Sequence, residues 1–150
     1  MTDIDKAERG WRIVNWIAII NQLATAKGER ALKPLRLTAT EFSVLSHIVA
    51  REAEARTVTA IAAAMQMLQP NVTKIVAKLA ARKALRLTPN EADGRSKLIA
   101  LMPAGRALHA QALAAFAPMI AGTFASWSGE DMERLYAGLD RLKTWLDANR

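Results

Sequence analysis

In the stretch Gln69-Pro70-Asn71-Val72-Thr73-Lys74-Ile75-Val76-Ala77-Lys78-Leu79, two chemistries share one helical period. Val72, Ile75, Val76 and Leu79 stand at i, i+3, i+4 and i+7, the spacing that lines one side of a helix with apolar groups. The opposite side carries Gln69, Asn71, Thr73, Lys74, Lys78 and, one turn on, Arg82. Amides and a hydroxyl thus open the helix and cations follow. Such a helix can bury one face and turn the other toward phosphates and base edges, which accept contacts from Gln, Asn, Lys and Arg.

The flanking residues extend this reading in both directions. Upstream, Thr57 to Met65 is a short Ala-rich helical run that Thr57 can cap, and only Gln66-Met67-Leu68 intervene before the next helix opens at Gln69-Pro70. Proline suits a first helical turn because its missing N–H has no partner to lose there. Two helices on so short a turn make a helix-turn-helix. Downstream, Leu85-Arg86-Leu87-Thr88 and Lys97-Leu98-Ile99-Ala100-Leu101 read as strands about the loop Pro89-Asn90-Glu91-Ala92-Asp93-Gly94-Arg95-Ser96, which is rich in turn formers. A hairpin with a cationic tip beside such a helix is a wing.

The chain here resembles the MarR family of winged-helix transcriptional regulators. The resemblance rests on Leu37-Thr38-Ala39-Thr40-Glu41-Phe42-Ser43-Val44-Leu45, Ile61-Ala62, Asn71 to Leu79, Asp93-Gly94-Arg95-Ser96 and Pro103-Ala104-Gly105-Arg106, in that order. It implies a mainly α fold with a small β-hairpin wing. The winged helix-turn-helix lobe spans residues 38–102, and residues 4–30 and 103–148 form dimerisation helices of a single subunit, 1–150. It also implies a homodimer that binds double-stranded DNA at a palindromic operator, more often as a repressor. A small aromatic or phenolic acid is the implied effector. Three positions depart from the family pattern. Gln66 stands where Gly is usual, at a site that wants a left-handed backbone. Leu68 replaces a capping Asp or Ser, leaving Gln69 or water to satisfy the first N–H groups. Met102-Pro103 replaces Leu-Thr.

The site residues expected on DNA are Thr57, Gln69, Pro70, Asn71, Thr73, Lys74, Lys78, Arg86, Asp93, Arg95 and Lys97. Gln69, Asn71 and Thr73 are placed for base or phosphate contacts in the major groove, with Lys74 and Lys78 as phosphate clamps. By the family's D-x-R pattern, Arg95 enters the minor groove and Asp93 fixes its side chain. Trp11, Arg12, Trp16, His47 and Arg51 are the candidate effector residues, an aromatic wall with cations. For the tryptophans, core or interface packing is the plainer reading.

Composition narrows the alternatives. The chain of 150 residues is long enough for one compact core, and its formal net charge is +7. Seven cations against two anions lie between Gln69 and Lys97, so the excess sits where the motif is. Cysteine is absent and only His47 and His109 are present, which excludes disulfides, thiol sensing and a zinc site of the usual kind. No cofactor or metal is expected, and no Ser/His/Asp pattern, phosphate-binding Gly loop or HExxH motif supports an enzyme. No apolar run is long enough to span a membrane, and the acidic start lacks a basic leader, so a cytoplasmic location is expected. Aromatics lie outside the basic face, unlike single-strand binders that stack bases within it. The rival from another class is a winged-helix module that binds a protein partner and never touches DNA.

The remaining elements follow in order. Residues 4–26 read as a helix with two apolar faces, more than one core can hide, and Lys27 to Leu37, with Gly28 and Pro34, as a connection. Thr38-x-x-Glu41 is a capping box that opens a helix running from Ala39 toward Glu54, with Phe42, Leu45, Ile48 and Val49 inward. A minimal strand is expected near Arg56. Pro103 to about Ala125 is a long helix with Pro118 inside it. Ser128 and Asp131 cap a terminal amphipathic helix marked by Leu135, Leu139, Leu142 and Leu146.

Overall fold

The computed structural model describes residues 2–149. Its elements run α1 (Asp3–Leu32), a 3-10 turn (Lys33–Leu35), α2 (Ala39–Val49), β1 (Arg56–Thr57), α3 (Val58–Met65), α4 (Gln69–Ala81), β2 (Leu85–Pro89), β3 (Lys97–Leu101), α5 (Pro103–Thr123) and α6 (Gly129–Ala148). The described chain divides into two compact units, one up to Phe116 and one from Ala117 onward. The expected fold class, mainly α with a β-hairpin wing, is the one observed.

In the first unit, one core gathers α2, α3, α4, the sheet and the start of α5. Leu45, Ile61, Leu79, Val44, Val72 and Val76 are among its largest fully buried side chains. Each contributes roughly 1.5–3 kcal/mol by leaving water. Three of the four residues of the α4 stripe, Val72, Val76 and Leu79, are in that set, and Ile75 packs half-buried against it. The stripe therefore fixes which face of α4 remains in solvent. The antiparallel sheet has the order β1-β3-β2, with Arg56 opposite Ile99 and Leu85 opposite Leu101. Ile99, buried on the central strand, ties the wing's root to the helical core.

Helix boundaries differ from the sequence reading in two places. The first helix does not end before Lys27 or at residue 30 but continues to Leu32, carrying Gly28 and Glu29 inside it. Gly28 is buried there because a Cβ would lie 3.0 Å from the Phe116 ring. Close packing of Gly28 and full burial of Leu32 outweigh the ~1 kcal/mol that glycine costs a helix interior. The second helix stops at Val49, and Arg51 to Glu54 form turns in which the Glu54 N–H donates to the Arg51 carbonyl at 2.9 Å. Thr38 and Glu41 make the expected reciprocal cap, with bonds of 3.1 and 3.0 Å. Val44, unassigned in the sequence reading, is also part of the core.

Apolar groups on α1 have little cover within the chain. Trp11 and Trp16 are 69% and 64% exposed, and Val14, Ile20 and Leu23 are also exposed. In the second unit, the α6 cap forms as expected, the Ser128 hydroxyl accepting from the Asp131 N–H at 3.1 Å. No described residue of α6 is buried, and Leu135, Leu139 and Leu146 join Tyr136 and Trp145 in solvent. Each helix thus carries an apolar face unmatched by its own unit, the excess that two apolar faces imply.

Candidate nucleic-acid interface

The surface begins at the turn between α3 and α4. Gln66 caps α3 with φ 52° and ψ 43°, the left-handed backbone expected at this position, and its N–H donates to the Ala63 carbonyl at 3.3 Å. Non-glycine residues enter that region at a cost of about 1 kcal/mol. Leu68 provides no side-chain cap to α4, as expected. The Gln69 amide does not fold back over the helix N-terminus to replace it. It donates to the Thr59 hydroxyl at 3.2 Å, linking α4 to α3. Thr57 caps α3 by accepting from the Ala60 N–H at 3.2 Å.

Pro70 and Asn71 are exposed at the start of α4, and Thr73 is exposed one turn on. The Thr73 hydroxyl donates to the Gln69 carbonyl at 2.9 Å, so its hydrogen is committed while its lone pairs stay open. Lys74 is exposed on the same helix. Lys78 is differently placed, since its Nζ lies 2.7 Å from Glu41 Oε1 on α2. Arg82 turns away from the helix and donates to the carbonyls of Leu35 at 3.0 Å and Arg36 at 3.2 Å.

Backbone and side-chain bonds staple the wing tip. The Asn90 N–H donates to the Ser96 carbonyl, the Asp93 N–H to that of Asn90 and the Ser96 N–H to that of Asp93, at 3.0–3.2 Å. Asn90 Nδ2 donates to the Ser96 hydroxyl at 2.9 Å. Asp93 does not hold the Arg95 side chain, as the D-x-R pattern had implied. Its Oδ1 accepts from the Arg95 backbone N–H at 3.1 Å, because an aspartate two residues back reaches the main chain in an Asx turn. Among the described residues, Lys74, Arg86, Arg95 and Lys97 enter no ion pair, whereas Glu52 and Glu54 are occupied by Arg106 and Arg56. Cations without internal partners are the ones available to an external anion.

The candidate effector residues do not converge. Arg12 pairs with Glu8 on its own helix at 2.8 Å, and no hydrogen bond, ion pair or ring contact joins Trp11, Arg12 or Trp16 to His47 or Arg51 among the described residues. His47 and Arg51 do meet, Nδ1 to Nη1 at 3.3 Å, and the buried Nε2 of His47 has no hydrogen-bond partner among the described residues. Burial, then the charges of Arg51 and Arg56, hold the His47 ring below its ordinary value. No group of His, Asp or Glu suited to a metal occurs among the described residues. No described helix is long and apolar enough to cross a membrane.

Sequence reasoning missed Glu41, Thr59 and the two carbonyls that Arg82 engages. Glu41 was visible as a cap, but a pairing 37 positions away leaves no local pattern. Leu68, which in the sequence signals only a missing cap, stands 72% exposed at the entry to α4.

Residues 37–96 match the sequence model of the MarR family, covering α2, the helix-turn-helix and most of the wing. Over that span the winged-helix lobe is similar to the MarR family. Solved structures extend the likeness in fold to nearly the whole chain. BldR, a transcriptional regulator from Sulfolobus solfataricus, is 23% identical with a TM-score of 0.78, covering 96% of this chain and 99% of its own. A mutant of MarR from E. coli complexed with operator DNA is 20% identical with a TM-score of 0.72, covering 87% and 93%. MepR from S. aureus in complex with DNA is 23% identical with a TM-score of 0.71, covering 88% and 96%. Among curated proteins, none matches the sequence.

Proposed function

We propose that this chain is a sequence-specific, double-stranded DNA-binding transcriptional regulator that works as a homodimer and represses by occupying a palindromic operator. The observation that carries the reading is a solvent-facing α4 whose first turns present Asn71, Thr73 and Lys74 while the wing presents Arg86, Arg95 and Lys97 without counter-ions among the described residues. Asn71 reads base edges in the major groove, Thr73 accepts or is buttressed there, Lys74 takes a phosphate and Arg95 enters the minor groove. Thr57, Pro70 and Asp93 shape the surface, and Gln69 does so through Thr59. A second copy covers the apolar faces of α1 and α6, and two-fold symmetry then sets half-sites about 34 Å apart. The location is the cytoplasm. For an effector, a small aromatic acid, support comes from the His47–Arg51 pair and its unsatisfied ring nitrogen.

The test is a titration of the promoter region beside the chain's own gene at several salt concentrations, with random duplex as competitor. Specific binding is saturable, and its affinity falls steeply as salt rises. Lys74→Ala or Arg95→Ala weakens it and lowers the salt slope by about 0.9 for each phosphate no longer neutralised. If both variants bind like the parent, the surface is not a DNA reader and the protein-interaction module takes its place.

A further inference from the structure

Lys78 lies on the polar side of α4, where an ammonium group one turn beyond Lys74 would be expected to seek phosphate. Its surroundings say otherwise. Glu41, the acceptor 2.7 Å away, has a side chain only 10% exposed, while the Lys78 side chain is 48% exposed. A carboxylate so far out of water needs every partner it has. The second oxygen of Glu41 is already used in the α2 cap, accepting from the Thr38 N–H at 3.0 Å. Moving Lys78 to a phosphate would leave the first oxygen buried without its cation.

The same junction receives two further ties. Arg82 donates to the carbonyls of Leu35 and Arg36, the latter a left-handed residue with φ 52° at the end of the 3-10 turn. From the other side, Glu29 in the last turns of α1 accepts from the Ala39 N–H at 2.8 Å. The end of α1, the start of α2 and the C-terminal half of α4 are therefore joined through fixed polar contacts. On its α3 side, α4 is linked by the Gln69 amide, which donates to the Thr59 hydroxyl.

We propose that Lys78 and Arg82 are positioning residues, which lock the recognition helix to the α1–α2 junction through buried Glu41 and the Leu35 and Arg36 carbonyls, and that Lys78 is not a phosphate ligand. The inference rests on the DNA-binding reading above and deepens it. Register of α4 in the groove is then set from the end of α1. Lys74 supplies the helix's phosphate contact and Lys78 its orientation.

Glu41→Gln separates the two roles because they give opposite signs. Glutamine at the third helical position keeps the capping box. If Lys78 were a clamp, removing the anion would free it, and affinity for operator and random duplex would rise together. As a positioning pair, losing Glu41 lets α4 shift, so the ratio of operator to random affinity falls by about three- to thirtyfold, the scale of breaking one buried polar pair. Lys78→Gln lowers that ratio similarly with the salt slope unchanged, the double variant is no worse than either single one, and Lys78→Arg restores the parent ratio. An unchanged ratio in Glu41→Gln, or a slope reduced by about 0.9 or more in Lys78→Gln, overturns the proposal. Lys78 is half-exposed, so its slope remains decisive should Glu41→Gln fail to fold, which thermal melting detects. Failure of the parent protein to prefer any operator would instead remove the DNA-binding reading itself.

Discussion

Replacing Gly105 with alanine sets two known effects against each other at the joint between the wing and α5. Gly105 is buried in the first turn of α5, and a Cβ there would run into the carbonyl oxygen of Ala84 and come within 2.9 Å of Leu101 Cδ1. That carbonyl also accepts the Met102 N–H at 3.0 Å, so it cannot retreat without stretching the bond that leads β3 into α5. Overpacking a tight contact costs about 1–3 kcal/mol, and a weakened backbone bond about another 1 kcal/mol. Better helix propensity returns up to ~1 kcal/mol. The expected net is a loss of about 1–3 kcal/mol, or a melting temperature lower by roughly 2–12 °C for a chain of this size. Urea and thermal unfolding at fixed protein concentration measure it, with Gly10→Ala as the comparison. Gly10 is also helical but has nothing within 4 Å of its Cβ position, so in the isolated chain only the propensity gain applies. A Gly105→Ala protein as stable as the parent would show that the Ala84 contact is slack and the reasoning wrong.

Other outcomes are equally specific. Leu139→Glu or Trp11→Glu, each placing a carboxylate on an exposed apolar face, is expected to leave a folded monomer by sedimentation and to weaken operator binding about a hundredfold or more by removing the second recognition helix. A variant dimer of parent strength would show that those faces are covered by something other than a second copy. His47 contributes a pH dependence of definite sign. Because its folded value is lowered, the unfolded chain binds more protons between that value and 6.5, and stability rises with pH through this window. Acidification from neutrality through 6.5 and below therefore destabilises the parent, and His47→Gln flattens the curve; an equal slope in both proteins assigns the effect elsewhere.

Much of the fold was legible because its signals are local. The Thr38–Glu41 and Ser128–Asp131 boxes, the Val72–Leu79 stripe and the left-handed requirement at Gln66 each lie within a few residues of the geometry they dictate. The end of α1 was misread for the same reason. Gly28 and Pro34 look like breakers until Phe116, far along the chain, is seen to need the room that Gly28 leaves. Roles assigned by sign of charge alone were the least secure. Lys74 and Lys78 are alike in sequence, yet only Lys78 has an acidic partner among the described residues, and that partner comes from another helix. Family pattern likewise linked Asp93 to Arg95 but not to the atom it bonds, the backbone N–H rather than the guanidinium.

The stapled wing has a consequence for the cost of association. Its turn already spends its hydrogen-bonding groups on itself, from Asn90 to Ser96, while the Arg95 guanidinium has no hydrogen bond or ion pair among the described residues. If the wing docks on a duplex as proposed, binding need freeze only one long side chain, roughly 2 kcal/mol of rotameric entropy, rather than several residues of main chain at about 1–2 kcal/mol each. In that proposed complex, a rigid stem bearing a loose tip would let the same finger settle into grooves of unequal width without slackening the rest of the molecule.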